Sequence, residues 1–306
     1  MQSKRAGSLP NFIVAGAPKA GTSSLHKWLC DHPQTIGSDP KETYYFVDRD
    51  SHTAGASHFE NKGIDGYRKL FENPHSTTQI IFESTPGYLY SNLALKQIPE
   101  LESKPRVLFL LREPAGQLFS LYRYFQQNWN WIPETMDFPT FIAASRTGSH
   151  TFGGNTLAQN AYKNASYINF LLPWLNRLNH SRMRVLLFED MIRDPLQFMT
   201  GLGDWLELDS SFYHTYAFNP ENQTYRVKSF VLQQLNLMIR PLIPQSDYYR
   251  KLRSLYRSIN TTQPRPPTLS EKQTLVGLRQ DFHKSNQQLA STFCLNLDPW
   301  TIPHKS

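Results

Sequence analysis

Three groups of residues in this chain have types and spacings that could do chemistry. The first is Gly16-Ala17-Pro18-Lys19-Ala20-Gly21-Thr22-Ser23-Ser24, in which two glycines enclose a lysine and lead into three consecutive hydroxyls. The second is Lys41-Glu42, followed at once by Thr43 and the aromatics Tyr44-Tyr45-Phe46. Apolar walls raise a carboxylate toward neutrality, where it can take a proton, while a neighbouring lysine pulls the other way. By residue type alone this pair reads either as a general base or as an exposed ion pair ahead of core aromatics. The third is Arg112, with Pro114 just after it and Ser120 further on. A planar guanidinium suits a terminal phosphate, and a serine hydroxyl can complete the contact.

Each group sits at the end of an element that must position it. Residues 10–16 are apolar and predict a strand; 22–31 predict a helix, stopped near Pro33 because proline cannot continue it. A strand, a tight glycine turn and a helix N-terminus gather backbone N–H groups and the positive end of a helix dipole at one point, a ready anion site. The glycine spacing matches the nucleotide-triphosphate loop G-x-x-x-x-G-K-[ST], but Thr22 stands where that loop needs its lysine. The cation has moved to Lys19, which makes the loop a poor ATPase or GTPase candidate. Residues 106–111 predict a buried strand that delivers Arg112. Pro114 then fits the first turn of a helix, and Ser120 falls about two turns along it.

Further apolar strands are expected at about 79–83 and 184–188, each followed by a turn or helix start. Short strands alternating with helices imply an α/β fold: a single domain over residues 1–306, with a mainly parallel central sheet flanked by helices and its ligand at the C-terminal ends of the strands. Residues 48–63 are polar and irregular, a loop bordering the cleft; 65–71 predict a short helix. One helix is expected over 155–172, ending before Pro173, another over 196–206, and a last one over 269–293; 230–260 is helix-like. The run from Tyr122 to Trp131 interleaves aromatics with amides, which could stack a sugar or simply pack a helix into the core.

Composition narrows the class. In 306 residues, 39% hydrophobic content argues against disorder. The net charge of +7 suits an anionic ligand but contains no run of basic residues of the kind that binds nucleic acid. No stretch is apolar enough to span a membrane. Cys30 and Cys294 lack metal-ligand spacing and read as two buried, reduced thiols, and no metal cluster is expected. The chain reads as cytoplasmic, with a soluble catalytic domain of a Golgi-anchored enzyme as the alternative. The sequons at Asn164, Asn179, Asn222 and Asn260 keep that alternative open. Oligomeric state is not legible.

Pro18-Lys19-Ala20-Gly21-Thr22-Ser23 resembles the 5′-phosphosulfate loop of sulfotransferases that use 3′-phosphoadenosine 5′-phosphosulfate (PAPS). Arg112 with Ser120 resembles the 3′-phosphate element of the same enzymes, and Lys41-Glu42-Thr43-Tyr44-Tyr45-Phe46 is similar to the Lys-Glu-x-x-Phe-Phe element of the heparan-sulfate type and its bacterial relatives. The resemblance implies sulfuryl transfer from PAPS to a hydroxyl or amine of an acceptor, a carbohydrate for preference, with PAP as product and no metal. It implies that Lys19 and the 21–24 segment hold the 5′-phosphosulfate, that Arg112 and Ser120 hold the 3′-phosphate, and that Glu42, next to Lys41, is the base. It also points to Arg226 and Lys228 in a late loop over the nucleotide. Ser84 stands where the heparan type often has lysine, which weakens the case for a highly anionic acceptor. A P-loop kinase or NTPase, and an inactive nucleotide-binding interaction protein, are the other readings.

Overall fold

The computed structural model describes residues 8–56, 58–71, 74–219, 221, 226–239, 256, 259–263 and 265–301. The first strand, β1 (Phe12–Gly16), is buried along its whole length, as a strand covered on both faces must be. It turns directly into α1 (Thr22–Cys30), which buries Leu25, Trp28 and Leu29 on one side. β2 (Thr35–Gly37), α2 (Phe59–Arg68), β3 (Ile80–Ser84) and α3 (Asn92–Gln97) follow. Then come β4 (Arg106–Leu111), α4 (Pro114–Asn128) and α5 (Phe138–Thr147). Pro114 occupies the first turn of α4, and Glu113 caps it by accepting from the N–H groups of Ala115 and Gly116.

The five strands β2, β3, β1, β4 and β5 (Met183–Leu187, further along the chain) lie side by side in that order, all parallel. β1 is therefore central, between β3 and β4, and the chain leaves it toward helices on both faces. This is the topological switch point where an open α/β sheet carries its ligand. The core lies against both faces of the sheet: Phe12, Phe82 and Phe109 are fully buried, and Phe109 packs edge-on to Trp174. A second apolar cluster gathers under α4 and α5 around Phe138, Phe141 and Phe152.

Several local expectations are corrected. The span 155–172 is not one helix but α6 (Thr156–Gln159), α7 (Ala161–Asn164) and α8 (Ile168–Arg182). Pro173 lies inside α8, because Leu171, Trp174 and Leu178 continue one buried face past it and tertiary packing outweighs the lost N–H. The helix expected at 65–71 is the second part of Phe59–Arg68, where Gly63 at φ +57° breaks the helix after a first turn started by His58, whose side chain accepts from the N–H of Glu60. After β5, α9 (Phe188–Arg193) and α10 (Pro195–Leu206) match the expected positions. A two-residue strand, β6 (Arg226–Val227), pairs antiparallel with β7 (Thr261–Thr262), with α11 (Phe230–Ile239) between them; the remainder of 230–260 apart from 256, 259 and 260 lies outside the described residues. The final helix breaks at Phe282 into α12 (Leu269–Asp281) and α13 (His283–Phe293). The break lets Leu278 and Phe282 enter the second cluster while Leu289 packs into the main core. Both cysteines are exposed and free, not buried: Cys30 ends α1 at the surface and Cys294 is the left-handed cap of α13.

Gly21 is where the backbone itself demands glycine. It opens α1 with φ +85°, and a Cβ there would sit 2.7 Å from Met191 Cε and from Phe188 Cδ2. The expected result of Gly21→Ala is a loss of about 1–3 kcal/mol from left-handed strain plus crowding, read as a lower denaturant midpoint at unchanged m.

Candidate functional site

A cleft of about 1200 Å³ opens at the C-terminal ends of β1 and β4. Pro18, Lys19, Gly21, Thr22, Ser23, Ser24, Glu42, Arg112 and Ser120 all line it, so residues from three separate parts of the chain meet there. Ala20 does not reach the surface; it is fully buried and its N–H closes the turn onto the carbonyl of Ala17 at 3.3 Å. Lys41 stands behind Glu42, its Nζ 2.9 Å from Oε1. Lys228 is exposed, with its backbone N–H on the carbonyl of Asn260, and does not line the cleft; Arg226 belongs to β6 and its side chain lies outside the described residues.

The anion-binding half is built from backbone and cations. α1 starts on Gly21 with no side-chain cap, so its leading N–H groups and dipole point into the cleft. Gln117 of α4 clasps the loop by donating Nε2 to the Pro18 carbonyl at 2.9 Å. Lys19 places its ammonium 3.8 Å from the centroid of the Tyr124 ring, and the Arg112 guanidinium lies 4.9 Å from that of Phe188. Burial, reinforced by the charge of Arg112, drops the Lys19 ammonium from its ordinary 10.5 to about 8, with Glu42 opposing the fall. Two desolvated cations that repel each other at a helix N-terminus form a site made for a polyvalent anion.

The facing half carries a base. Glu42 accepts from Lys41 at Oε1 and from the Tyr44 hydroxyl at Oε2. Burial and the adjacent Glu42 charge raise the Tyr44 phenol above its usual range, so it stays a donor. The nearby histidines have other occupations. His26 is held by Ser84 Oγ at 2.9 Å, and burial plus Lys41 push it down to about 3; His58 is fully buried on the carbonyl of Val47. His52 does line the cleft, 3.1 Å from Thr156 Oγ1 and edge-on to Trp131. Sequence reasoning gave it no role, and nothing in its neighbours along the chain marks it.

Trp129 and Trp131 also line the cleft, half-buried and stacked 14° from parallel with centroids 5.4 Å apart. The earlier part of the same aromatic run, Tyr122 and Phe125, packs into the core, while the two tryptophans stay at the cleft. Glu189, at the start of α9, is structural: one oxygen accepts from the N–H of Glu113 at 3.0 Å and the other from Trp300 Nε1 at 2.8 Å. That ties the start of α4 to α9 and to the C-terminal segment.

The family model for the sulfotransferase domain matches residues 9–235, about three quarters of the chain. The chain belongs to the sulfotransferase family. The matched region contains the loop, Glu42, Arg112 and Ser120. Among curated sulfotransferases, it is 27% identical over 177 residues to the bifunctional heparan sulfate N-deacetylase/N-sulfotransferase 3 of Mus musculus, covering 56% of this chain and 19% of that protein. It is also 27% identical over 212 residues to the heparan sulfate glucosamine 3-O-sulfotransferase 3B1 of Mus musculus, covering 67% of this chain and 49% of that one. The chain thus spans half or less of the length of these two relatives. A solved sulfotransferase from Alicyclobacillus acidocaldarius shares the fold, with TM-score 0.57 at 21% identity over 76% of this chain and 92% of that one. Among the described residues, no helix is long and apolar enough to cross a membrane.

Proposed function

We propose that this sulfotransferase-family chain moves a sulfuryl group from PAPS to a hydroxyl or amine of a carbohydrate acceptor. The observation that carries the reading is the meeting, in one cleft, of a cationic helix N-terminus (Lys19, Arg112, residues 21–24) with a hydrogen-bonded carboxylate, Glu42. The donor fits these residues. Thr22 to Ser24 and Lys19 would hold the 5′-phosphosulfate; Arg112, just before α4, and Ser120, two turns along it, would hold the 3′-phosphate. The acceptor oxygen bonds to sulfur as the bond from sulfur to the phosphate oxygen breaks. Glu42 takes the acceptor proton, and Lys19 stabilises the negative charge growing on the departing PAP. Lys41 and Tyr44 keep Glu42 aimed. We keep Arg226 and Lys228 as candidates for the nucleotide's outer side. Nothing in this chemistry calls on a metal.

A carbohydrate acceptor is favoured by the Trp129–Trp131 slab, whose faces can take the apolar side of a sugar ring, with Asn128, Asn160 and Asn164 beside it in the cleft. The assignment of all of 1–306 to one domain is supported by α12, α13 and Trp300, which share the two apolar clusters with the matched region. A cytoplasmic placement is supported by Asn164 and Asn260, which are buried away from glycosylation; Asn179 is exposed and keeps the Golgi-anchored alternative, and Asn222 lies outside the described residues.

The test is thermal shift with PAP, with ADP and ATP–Mg²⁺ as controls. At a hundred times its dissociation constant, PAP should stabilise the protein by about 2.7 kcal/mol. A response to ATP–Mg²⁺ without one to PAP would restore the kinase reading. The titration should also weaken with pH. The Lys19 ammonium is charged below about 8 and is lost above it, so PAP affinity should fall by about tenfold between pH 7 and 9.5. A flat affinity across that range, together with unchanged PAP binding in Lys19→Met, would remove Lys19 from the site.

A further inference from the structure

The loop that carries Glu42 has no regular secondary structure of its own, yet its backbone is held at Thr43, Tyr45 and Phe46 by one buried group of side chains. Glu83, near the end of β3, is fully buried. Its Oε2 accepts from Thr43 Oγ1 at 2.6 Å and from Thr85 Oγ1 at 2.8 Å, its Oε1 accepts from the Tyr67 hydroxyl, and the Tyr88 hydroxyl lies 3.3 Å from both oxygens. A carboxylate has about four lone-pair sites, and four hydroxyls face them; burial pushes the Glu83 carboxyl above its usual range, and these hydrogen bonds oppose that rise. Those hydroxyls in turn hold the loop. Thr85 Oγ1 accepts from the N–H of Thr43 at 3.0 Å, and the Tyr88 oxygen accepts from the N–H groups of Tyr45 and Phe46 at 3.1 and 3.3 Å. The N–H of Ser84 reaches the Lys41 carbonyl at 3.3 Å. Glu42 is the residue suspended between these anchors.

We propose that Glu83 is the positioning residue of the base: it orders the Thr43, Thr85 and Tyr88 hydroxyls so that they fix the 41–46 backbone and hold the Glu42 carboxylate at the reacting centre. The inference rests on the reading of Glu42 as the base. Glu83 does not line the cleft and touches no substrate; it acts through the loop. The chemical logic is directional. Four donors converge on one acceptor, so exchanging that acceptor for an amide puts donors against donors and frees the hydroxyls to turn.

The experiment measures conversion of PAPS to PAP with water as the acceptor, beside PAP affinity by thermal shift and folding by circular dichroism. The variants are Glu42→Gln, Glu83→Gln, Thr43→Val, Thr43→Ser and the Glu42→Gln/Glu83→Gln pair. Glu83→Gln and Thr43→Val should each slow turnover by about tenfold to a hundredfold, the scale of a small misplacement of a reacting group, with PAP affinity within about threefold of wild type. Thr43→Ser, which keeps the hydroxyl, should restore the rate. The pair should be no slower than Glu42→Gln alone, because a base that is absent cannot be misplaced. The proposal is overturned if Glu83→Gln and Thr43→Val keep the wild-type rate while Glu42→Gln loses it, if rate and PAP affinity fall together, or if the pair multiplies the two losses. If Glu83→Gln does not fold, Thr43→Val and Thr43→Ser decide by themselves. Wild-type turnover in Glu42→Gln would be the distinct failure of the base assignment.

Discussion

Glu42→Gln should lower kcat by about 10²–10⁴ while leaving the thermal shift with PAP at neutral pH unchanged. Glutamine keeps the size of the side chain and an oxygen that can accept from Lys41 or Tyr44, but it cannot take up the acceptor proton. The anion-binding half, on α1 and α4, does not depend on the Glu42 side chain for any hydrogen bond, so donor binding should survive. The charge change adds a smaller effect of known sign. Glu42 supports the Lys19 ammonium, so its loss lets Lys19 fall further below 8. A mild weakening of PAP binding above neutral pH is therefore expected as well. Turnover within tenfold of wild type would move the base elsewhere, and His52 is the titratable group in the cleft to replace next.

Arg112→Met should separate binding from stability. PAP affinity is expected to fall on the order of a hundredfold, because hydrogen bonds to charged groups contribute roughly 1.5–3 kcal/mol each and a guanidinium fork offers two. The fold should not suffer in proportion. Arg112 is a buried cation that depresses Lys19 but is itself held by the buried carboxylates of Glu189 and Glu113, so methionine, which fills similar volume against Phe188, removes a repulsion and an attraction together. The melting temperature of the free protein should change little while the PAP-induced shift disappears. Arg112→Lys should recover only part of the affinity, since a point charge cannot form the planar double contact. Retention of full PAP affinity in Arg112→Met would place the 3′-phosphate away from α4.

Local chemistry explains what could be read directly. The strand–loop–helix from Phe12 to Cys30 is encoded by an apolar run, glycine at Gly21, one of two left-handed positions in the loop beside Lys19, and hydroxyls at a helix start. Arg112, Pro114 and Ser120 are legible for the same reason, since strand end, helix start and two turns of rise are all short-range geometry. Packing overrode the local signal elsewhere. Pro173 looked like a helix end until buried Leu171 and Trp174 carried α8 through it, and Phe282 split the last helix to serve two apolar clusters.

The sequence by itself determined the parts: an anion loop, a phosphate-type arginine and serine, a carboxylate beside a lysine, and the alternation that makes a parallel sheet. Only the tertiary structure decided that these parts share one cleft, because strand order is set by long-range pairing and places β1 between β3 and β4. It alone lowers Lys19 to about 8, since desolvation depends on what is packed around a side chain and not on its neighbours in sequence. It alone puts His52 against Trp131 and gathers four hydroxyls, from residues 43, 67, 85 and 88, onto Glu83. A buried carboxylate is tolerated only where the fold supplies its partners, and here those partners come from three separate elements.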